Sequence, residues 1–288
     1  MTFVCPVCHT ALGACQHSWV QRDGIWRFIR PEHIAVIETF LADYTKIRLA
    51  EGRGSDSPDF YRNLPDCPDE HPMWWQWGIH RRTFARLRDS ILPHLGSGAE
   101  ILDVGAGTGW LSNRLAHIGF KPCAIDVTCD DQDGLGAARH FDPAWPRVQA
   151  EFDYLPIADS SVDAVIFNAS LHYSTNYSRT LREALRVLRP GGSIIVLETP
   201  VYKKEESGRQ MVEERHAAFL KRYGTRSDSI PSIEYLTWPR LDDLARELNL
   251  KWKVRRPWYG FQWAMRPWIA RYKGTREPSR FPILQTWK

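Results

Sequence analysis

The chain has 288 residues, of which 43% are hydrophobic and 25% charged, and this globular composition excludes a largely disordered or collagen-like protein. Its apolar segments are shorter than the roughly 18 residues that span a bilayer, and its first residues lack the basic flank and apolar core of a signal peptide. We therefore expect a cytoplasmic protein with reduced cysteines. Residues 251–288 carry ten basic residues and one acidic residue, a net charge of +9, whereas the net charge of the whole chain is +4.

Four potential zinc ligands lie close together at the start of the chain. Cys5 and Cys8 form a Cys-x-x-Cys pair, which Cys15 and His17 follow. Two thiolates on a tight turn suit one tetrahedral ion, so we predict a structural zinc ion held by these four residues. His9 is a further candidate ligand, and a metal-free turn with inert cysteines is the alternative interpretation.

The next segment is predicted to be helical. Residues 33–51 carry apolar side chains at a spacing of three and four, which predicts a helix with one buried face. Glycines end this helix, and residues 55–59 are predicted to form a loop. A second helix is predicted over residues 74–92, where a proline and two glycines stop it.

Residues 99–200 alternate short apolar segments with helical ones. The predicted strands are 99–104, 122–127, 148–152, 162–169 and 193–199. The predicted helices between them are 110–118 and 177–188. Buried strands that alternate with helices predict an α/β fold with a parallel, doubly wound sheet.

The last part of the chain is predicted to contain helices 208–223 and 241–248 and strands 251–257 and 281–287. The 23 residues between these two strands exceed a normal hairpin loop. We expect them to form a partly helical cover beside the substrate mouth, broken by Pro267. Arg266, Arg271 and Lys273 are expected on its solvent face.

A glycine-rich segment gives the strongest indication of chemistry. A predicted strand leads into Gly105, Gly107 and Gly109, and a helix follows. Alternate glycines let the backbone turn sharply and let a ligand lie against the main chain. Asp103 precedes the first glycine by two residues, and this carboxylate and the Gly-x-Gly-x-Gly spacing argue against a pyrophosphate-binding loop.

Acidic residues end the next two predicted strands. Asp126 can accept hydrogen bonds from both ribose hydroxyls of an adenosine. Asp153 follows the third strand, where it can accept from the exocyclic amine of adenine. The two positions therefore favour an adenosine-containing cofactor.

Taken in order, these segments resemble the class I S-adenosylmethionine-dependent methyltransferases, and within them the subfamily that methylates small molecules and quinones. The resemblance is carried by DVGAGTG, AID, FDYLP, VDAVIFNASLHY and LRVLRPGGSIIVLETP. It is strong over residues 99–200 and loose over 240–288. It implies a Rossmann-like sheet of seven strands, S-adenosyl-L-methionine as the cofactor and methyl transfer as the reaction.

The resemblance implies a cofactor site formed by Asp103, Gly105, Ala106, Gly107, Gly109, Asp126, Val127, Asp153, Tyr154 and Asn168. In such a site the glycines line the methionine moiety, and Asp103 lies at its amino group, directly or through water. Asp126 holds the ribose, whereas Asp153 and Tyr154 frame the adenine. Asn168 faces the carboxypropyl end of the cofactor and the substrate.

The N-terminal segment resembles the short zinc ribbons fused ahead of some members of this family, including certain ribosomal RNA methyltransferases. It departs from them at Ser18, where a usual ribbon has a fourth cysteine. We predict a zinc-ribbon-like module over residues 1–30 and a helical cap over 31–95. The cofactor-binding domain is predicted over 96–288, with insertions at 201–239 and 258–280.

The expected function is transfer of a methyl group to a small-molecule or lipid-like acceptor by in-line displacement. His172 lies just past the fourth strand and is a candidate base, although packing against the following helix is an alternative role. The aromatic, basic tail suits an anionic membrane surface or single-stranded RNA. The alternatives are therefore an RNA methyltransferase, which the mildly acidic first 250 residues disfavour, and a non-catalytic relative, which the complete cofactor motif disfavours.

Overall fold

The structure, a computed structural model, describes residues 1–142 and 144–288. The described residues form eleven strands: β1 (Val20–Arg22), β2 (Ile25–Arg27), β3 (Glu100–Val104), β4 (Lys121–Asp126), β5 (Arg147–Gln149), β6 (Val162–Asn168), β7 (Leu188–Leu197), β8 (Val201–Tyr202), β9 (Leu236–Thr237), β10 (Lys253–Arg255) and β11 (Ile283–Trp287). They also form eight α-helices: α1 (Ile34–Ala50), α2 (Pro58–Asn63), α3 (Trp74–Ser90), α4 (Trp110–His117), α5 (Tyr177–Val187), α6 (Glu205–Tyr223), α7 (Trp238–Leu248) and α8 (Phe261–Tyr272).

Nine of these strands build one sheet in the order β1-β2-β5-β4-β3-β6-β7-β11-β10. Neighbours from β2 to β7 are parallel, whereas β11 is antiparallel to both β7 and β10. The seven strands from β5 to β10 are the predicted doubly wound sheet with its antiparallel end. Strand order reverses at β3, so a crevice opens at the carboxyl ends of β3 and β6, where ligands of such sheets bind.

The N-terminal segment adds two strands to this sheet. β1 and β2 form an antiparallel hairpin, and β2 then pairs in parallel with β5, with Ile25 opposite Arg147 and Arg27 opposite Gln149. The N–H of Phe28 continues the pairing by donating to the carbonyl of Gln149 at 2.8 Å. The predicted seven-stranded sheet is therefore extended to nine, and the chain leaves β2 toward the crevice.

Two hydrophobic cores lie on opposite faces of the sheet. Successive residues of β3 enter different cores, Ile101 on one side and Leu102 and Val104 on the other. The first core contains Leu87 of α3, and the second contains Leu181 of α5. Burying each such leucine contributes roughly 1.5–3 kcal/mol, so both faces of the sheet are held by their helices.

Most predicted elements form within a few residues of their expected bounds, and the differences have local causes. α7 begins three residues earlier than expected because the Thr237 hydroxyl accepts a hydrogen bond from the N–H of Arg240 at 3.3 Å, with Pro239 in the first turn. The loop predicted over 55–59 ends earlier than expected, because α2 begins at Pro58 and proline is suited to the first position of a helix.

The tail contains a single helix, α8, between β10 and β11. The prediction that Pro267 breaks this helix is wrong, since α8 runs from Phe261 to Tyr272 with Pro267 inside it. A proline removes one N–H donor, but its fixed φ of about −65° is compatible with a helix. Arg266 is also not on the solvent face, since its guanidinium lies 3.8 Å from the ring centre of Trp263. Arg271 and Lys273 are exposed as expected. Among the described residues, no helix has both the length and the apolar character needed to cross a membrane.

Candidate active site

The loop between β3 and α4 presents bare backbone at the crevice. Gly105, Gly107 and Gly109 all have positive φ, at +75°, +54° and +79°. The N–H groups of Gly105 and Ala106 both donate to the carbonyl of Ile125, at 2.7 and 3.0 Å. A Cβ on Gly105 would lie 2.8 Å from the Ser170 hydroxyl oxygen, so this position has no room for a side chain. The loop therefore lets a ligand approach the main chain closely.

Asp126, at the tip of β4, fixes this loop. One of its carboxylate oxygens accepts from the N–H of Gly107 at 2.7 Å, and the other accepts from the N–H of Thr128 at 2.9 Å. Burial raises the pKa of Asp126. Its carboxylate lines the crevice beside Val127, where a ribose could exchange hydrogen bonds with it.

Asp103 lies beneath the loop rather than at the cavity wall. Its side chain is fully buried, and one carboxylate oxygen accepts from both the N–H and the hydroxyl of Ser112, at 3.1 and 2.9 Å. Burial raises its pKa to about 7. Asp103 thus ties the start of α4 to β3. Gly109 likewise lies outside the cavity lining and packs against the ring of Trp145.

A cavity of about 890 Å³ opens at the crevice, bounded by the sheet edge and by α1 and α3. The structure brings nine of the predicted site residues to its wall: Gly105, Ala106, Gly107, Asp126, Val127, Asp153, Tyr154, Asn168 and His172. This volume lies within the range of small-molecule sites and suits a cofactor together with part of an acceptor.

At the cavity wall, two arginines flank Tyr154. The guanidinium of Arg30 lies 3.3 Å from the ring centre and that of Arg179 lies 4.4 Å from it. Arg30 also forms a two-point ion pair with Glu151, at 3.0 and 3.1 Å, and His33 lies 2.5 Å from the same carboxylate. The N-terminal hairpin thereby delivers a buried cation to the cavity, which the sequence reasoning missed.

Asp153, next to Tyr154, accepts a hydrogen bond from the hydroxyl of Thr180 at 2.5 Å. Its burial raises the pKa of the carboxyl group. Its other oxygen lies 3.8 Å from Arg179. Asp153 is thus held by α5 at the cavity wall.

A buried acid and a buried histidine also line the cavity. Nδ1 of His80, on α3, lies 2.7 Å from a carboxylate oxygen of Glu198, the residue after β7. Glu198 has a φ of +53°, a strained value for a side-chain-bearing residue, which persists where surrounding structure holds it. Neither residue could be assigned this role from the sequence, although the position of Glu198 at a strand tip was a signal.

His172 lines the same cavity in a different electrostatic environment. Burial, together with Arg215 and Arg48, lowers the pKa of His172 to about 3. Its Nδ1 is buried and has no hydrogen-bond partner among the described residues, and its ring packs on Tyr173 with centroids 4.5 Å apart. The imidazole is therefore neutral at pH 7 and only weakly basic.

The remaining walls of the cavity are mainly apolar and come from helices and the tail. They include Ile37, Phe40, Leu41, Met73, Trp77, Ile79, Met211 and Phe281. Residues of α8, which were expected to cover the cavity, do not line it. Of the tail, Phe281, which follows this helix, lies at the cavity wall. Arg81, which follows His80 on α3, does not line the cavity and lies 3.7 Å from Asp66.

The four predicted zinc ligands converge in the N-terminal segment. One ligand atom from each of Cys5, Cys8, Cys15 and His17 lies within 4.8 Å of the others. The Cys5 sulfur is 3.4 Å from Nδ1 of His17. Hydrogen bonding to Thr10 lowers the pKa of Cys8 to about 6.

This sheet, with a glycine loop after its central strand and an acid at the next strand tip, defines an α/β enzyme that binds an adenosine cofactor. A family described as a methyltransferase domain matches residues 102–196. The demethylmenaquinone methyltransferase of Corynebacterium efficiens is 34% identical over 178 residues, which cover 59% of this chain and 71% of that protein. The malonyl-[acyl-carrier protein] O-methyltransferase of Hahella chejuensis is 35% identical over 106 residues, 36% of this chain and 38% of that protein.

Solved structures show the same fold at low identity. The YcgJ protein of Bacillus subtilis aligns with a TM-score of 0.52 and 14% identity, covering 73% of this chain and 98% of that one. The 1,6-didemethyltoxoflavin-N1-methyltransferase of Burkholderia thailandensis, solved with S-adenosylhomocysteine, aligns with a TM-score of 0.51 and 16% identity over 94% of both chains. The chain belongs to the S-adenosylmethionine-dependent methyltransferases.

Proposed function

We propose that the cavity binds S-adenosyl-L-methionine against the glycine loop and a lipid-like or other small amphipathic acceptor against its apolar walls. The observation that carries this proposal is one continuous cavity whose lining combines polar side chains, such as Asp126 and Tyr154, with apolar ones, such as Ile37 and Met211. Relatives whose names specify a quinone and an acyl-carrier substrate support an acceptor of this kind.

The cofactor residues follow from the wall at the glycine loop. Gly105 and Gly107 would lie along the methionine moiety, because each offers backbone without a side chain. Asp126 would accept from the ribose hydroxyls, and each hydrogen bond to a charged group contributes about 1.5–3 kcal/mol. Asp153 and Tyr154 would frame the adenine, with Arg30 packed against the tyrosine ring.

We assign the base to His80. When bound, the cofactor supplies a methyl group on a positively charged sulfur, so transfer to an acceptor oxygen or carbon leaves a thioether and one proton to be removed. The carboxylate beside Nδ1 of His80 favours a proton on that nitrogen. Nε2 is then free to take the proton that the methylated substrate loses. Glu198 then stabilises the imidazolium. The lowered pKa of His172 makes it a weak base.

The apolar walls have the complementary task. They exclude water from the acceptor and hold it in line with the methyl group, and such alignment can supply up to roughly 7–11 kcal/mol. Arg215 lies at the same wall, where it can meet a polar or anionic end of the acceptor.

The acceptor class is tested by incubating the enzyme with methyl-labelled cofactor and cell extract, then separating lipid, small-molecule and RNA fractions. We expect label in the lipid or small-molecule fraction. Label that appears in RNA and is released by ribonuclease would contradict the proposal.

The base is tested with His80→Gln and, as a matched control, His172→Gln, using a short-chain reduced naphthoquinone or the acceptor found by labelling. We expect His80→Gln to lower kcat by about 10²–10⁴-fold, the usual contribution of a general base, with cofactor affinity retained. Glu198→Gln should lower kcat less and shift the pH profile. A larger loss in His172→Gln than in His80→Gln would reverse the assignment.

We also propose that the N-terminal cluster holds one structural zinc ion. Three thiolates and one imidazole form a common zinc ligand set, and a tetrahedral ion with bonds of about 2.3 Å needs ligand atoms about 3.8 Å apart. The cluster, with its ligand atoms within 4.8 Å of one another, is close to that spacing. The ion would secure the turn that precedes β1.

Elemental analysis of untagged protein should give one zinc per chain, and a chelator should lower the melting temperature. Cys8→Ser should lose the ion, whereas Cys67→Ser, a cysteine outside the cluster, should retain it. Substoichiometric zinc with a chelator-insensitive melting temperature would count against the site.

A further inference from the structure

The helix α8 carries an apolar stripe that faces solvent. Phe261, Trp268 and Tyr272 are 72%, 68% and 92% exposed. Their spacings of seven and four place them on one face of the helix. Ile269, 45% exposed, lies beside them. Several large apolar side chains on one exposed helix face mark an interaction surface rather than scattered surface residues.

The opposite side of α8 packs on the protein, so the helix is anchored and the apolar stripe has a defined orientation. The ring of Trp263 lies 5.2 Å from that of Phe281 and 5.1 Å from that of Tyr259. Arg266 covers the same indole. Since Phe281 lines the cavity, the helix is fixed beside the active site with its apolar stripe outward.

Cations flank the stripe. Arg256 precedes the helix, and Arg271 and Lys273 lie at its end, all exposed. Residues 251–288 contain a single acidic residue, Glu277, whose carboxylate lies 3.9 Å from Lys203. The surface is therefore apolar along its centre and positively charged around it.

We propose that α8 docks the enzyme on an anionic phospholipid surface. A helix of 12 residues is about 18 Å long and can lie in the interface with its aromatic side chains at the headgroup level. Arg271 and Lys273 would then meet lipid phosphates. Docking goes beyond methyl transfer and places the cavity beside the surface from which a lipid-like acceptor would enter.

The charge and size of the stripe favour a membrane over other occupants. A second copy of the chain would bring two clusters of cations together, and one short helix face falls below the roughly 800 Å² per partner of a stable interface. Single-stranded RNA binds in a cationic groove with stacked bases, whereas α8 offers a convex surface.

The test is co-sedimentation of the full-length protein with vesicles of phosphatidylcholine alone and of phosphatidylcholine with phosphatidylglycerol at a ratio of three to one. We expect binding to the anionic vesicles that falls at least tenfold in Phe261→Ser/Trp268→Ser. Arg271→Gln/Lys273→Gln should weaken binding and reduce its salt dependence. Trp287→Ser is the matched control, because Trp287 is exposed but pairs with Ser193, towards the sheet edge opposite the cavity.

Each variant should keep the melting temperature of the parent, since the altered side chains are exposed. Equal binding by the parent and Phe261→Ser/Trp268→Ser would overturn the proposal. Equal binding of the parent to neutral and anionic vesicles would also overturn it. A third contrary result is a parent protein that is a dimer and sediments with neither type of vesicle, if the double variant is a monomer. Transfer to a water-soluble acceptor should be unchanged in the double variant, which separates a failure of docking from a failure of the proposed reaction.

Discussion

Glycines with a positive φ give a sharp test, because two in the cofactor loop and one outside it differ in what surrounds them. Gly105 has a φ of +75° and no room for a Cβ, whereas Gly107, at +54°, would meet only a backbone oxygen 4.0 Å away. Gly191 has a φ of +81°, a Cβ added to it would have nothing within 4 Å, and it lies in β7 outside the cavity. Replacing each glycine with alanine therefore distinguishes three effects: backbone strain at Gly191, strain with crowding at Gly105, and strain with loss of cofactor contact at Gly107.

The stability of Gly191→Ala should reflect backbone strain alone. The left-handed conformation costs a non-glycine residue about 1–2 kcal/mol. The smaller entropy of the unfolded chain offsets roughly 0.4–1 kcal/mol of this. We expect a net loss near 1 kcal/mol, or a melting temperature lower by about 2 °C for a chain of this size.

Gly105→Ala should lose more. Its Cβ would lie 2.8 Å from the Ser170 hydroxyl oxygen and closer still to the Ser170 Cβ. Ser170 is buried, and its hydroxyl donates to the carbonyl of Val104 at 2.5 Å, so it cannot turn away cheaply. Overpacking of this kind costs about 1–3 kcal/mol, which brings the expected loss to about 2–4 kcal/mol.

Gly107→Ala should match Gly191→Ala in stability and differ from it in function. Its methyl group would face the cavity, so calorimetry should show cofactor affinity at least tenfold lower, about 1.4 kcal/mol. Chemical denaturation measures the three stabilities. A Gly105→Ala variant as stable as Gly191→Ala would contradict the crowding at Ser170, and a Gly107→Ala variant that binds the cofactor like the parent would contradict contact at that glycine.

Three further predictions concern buried charges. Asp126→Asn should weaken cofactor binding by about tenfold, through loss of charged hydrogen bonds, and unchanged calorimetry would remove this residue from the site. The raised pKa of Asp103 means that the folded state holds its proton more tightly, so stability should fall as pH rises from about 4 to 7. In Asp103→Asn the melting temperature should change less between pH 4 and 7 than in the parent. The same dependence on pH in both proteins would contradict the effect of burial on this carboxyl group. Arg30→Met should lower stability by about 3 kcal/mol because it leaves the partly buried Glu151 with only His33 beside it, and adding Glu151→Gln should restore most of the loss. Additive losses would contradict the pairing.

The local patterns of the sequence were sufficient for the central sheet and the loop. Alternating apolar segments predicted β3, β4, β6 and β7 because buried parallel strands need continuous apolar residues. The glycines predicted the sharp turn into α4 because only glycine adopts those φ values without strain. Each of these properties depends on residues close in sequence.

Pairs that are distant in sequence could not be predicted in this way. Arg30 and Glu151 are 121 residues apart and meet only because β2 pairs with β5. His80 and Glu198 meet because α3 packs over the tip of β7. A histidine on an amphipathic helix and an acid after a strand each have several ordinary roles, and only their separation of 2.7 Å distinguishes this one.

The tail shows the same division. Composition alone indicated a basic, aromatic segment, and its length exceeded a hairpin loop, so an insertion was predictable. Which aromatic side chains are exposed was decided by packing: Trp263 is fixed against Phe281, and this contact turns Phe261 and Trp268 outward. The sequence by itself determined the family, the cofactor loop and the charge of the tail, whereas the tertiary structure decided which side chains face the acceptor and which face solvent, because burial depends on contacts between segments that the chain separates by many residues.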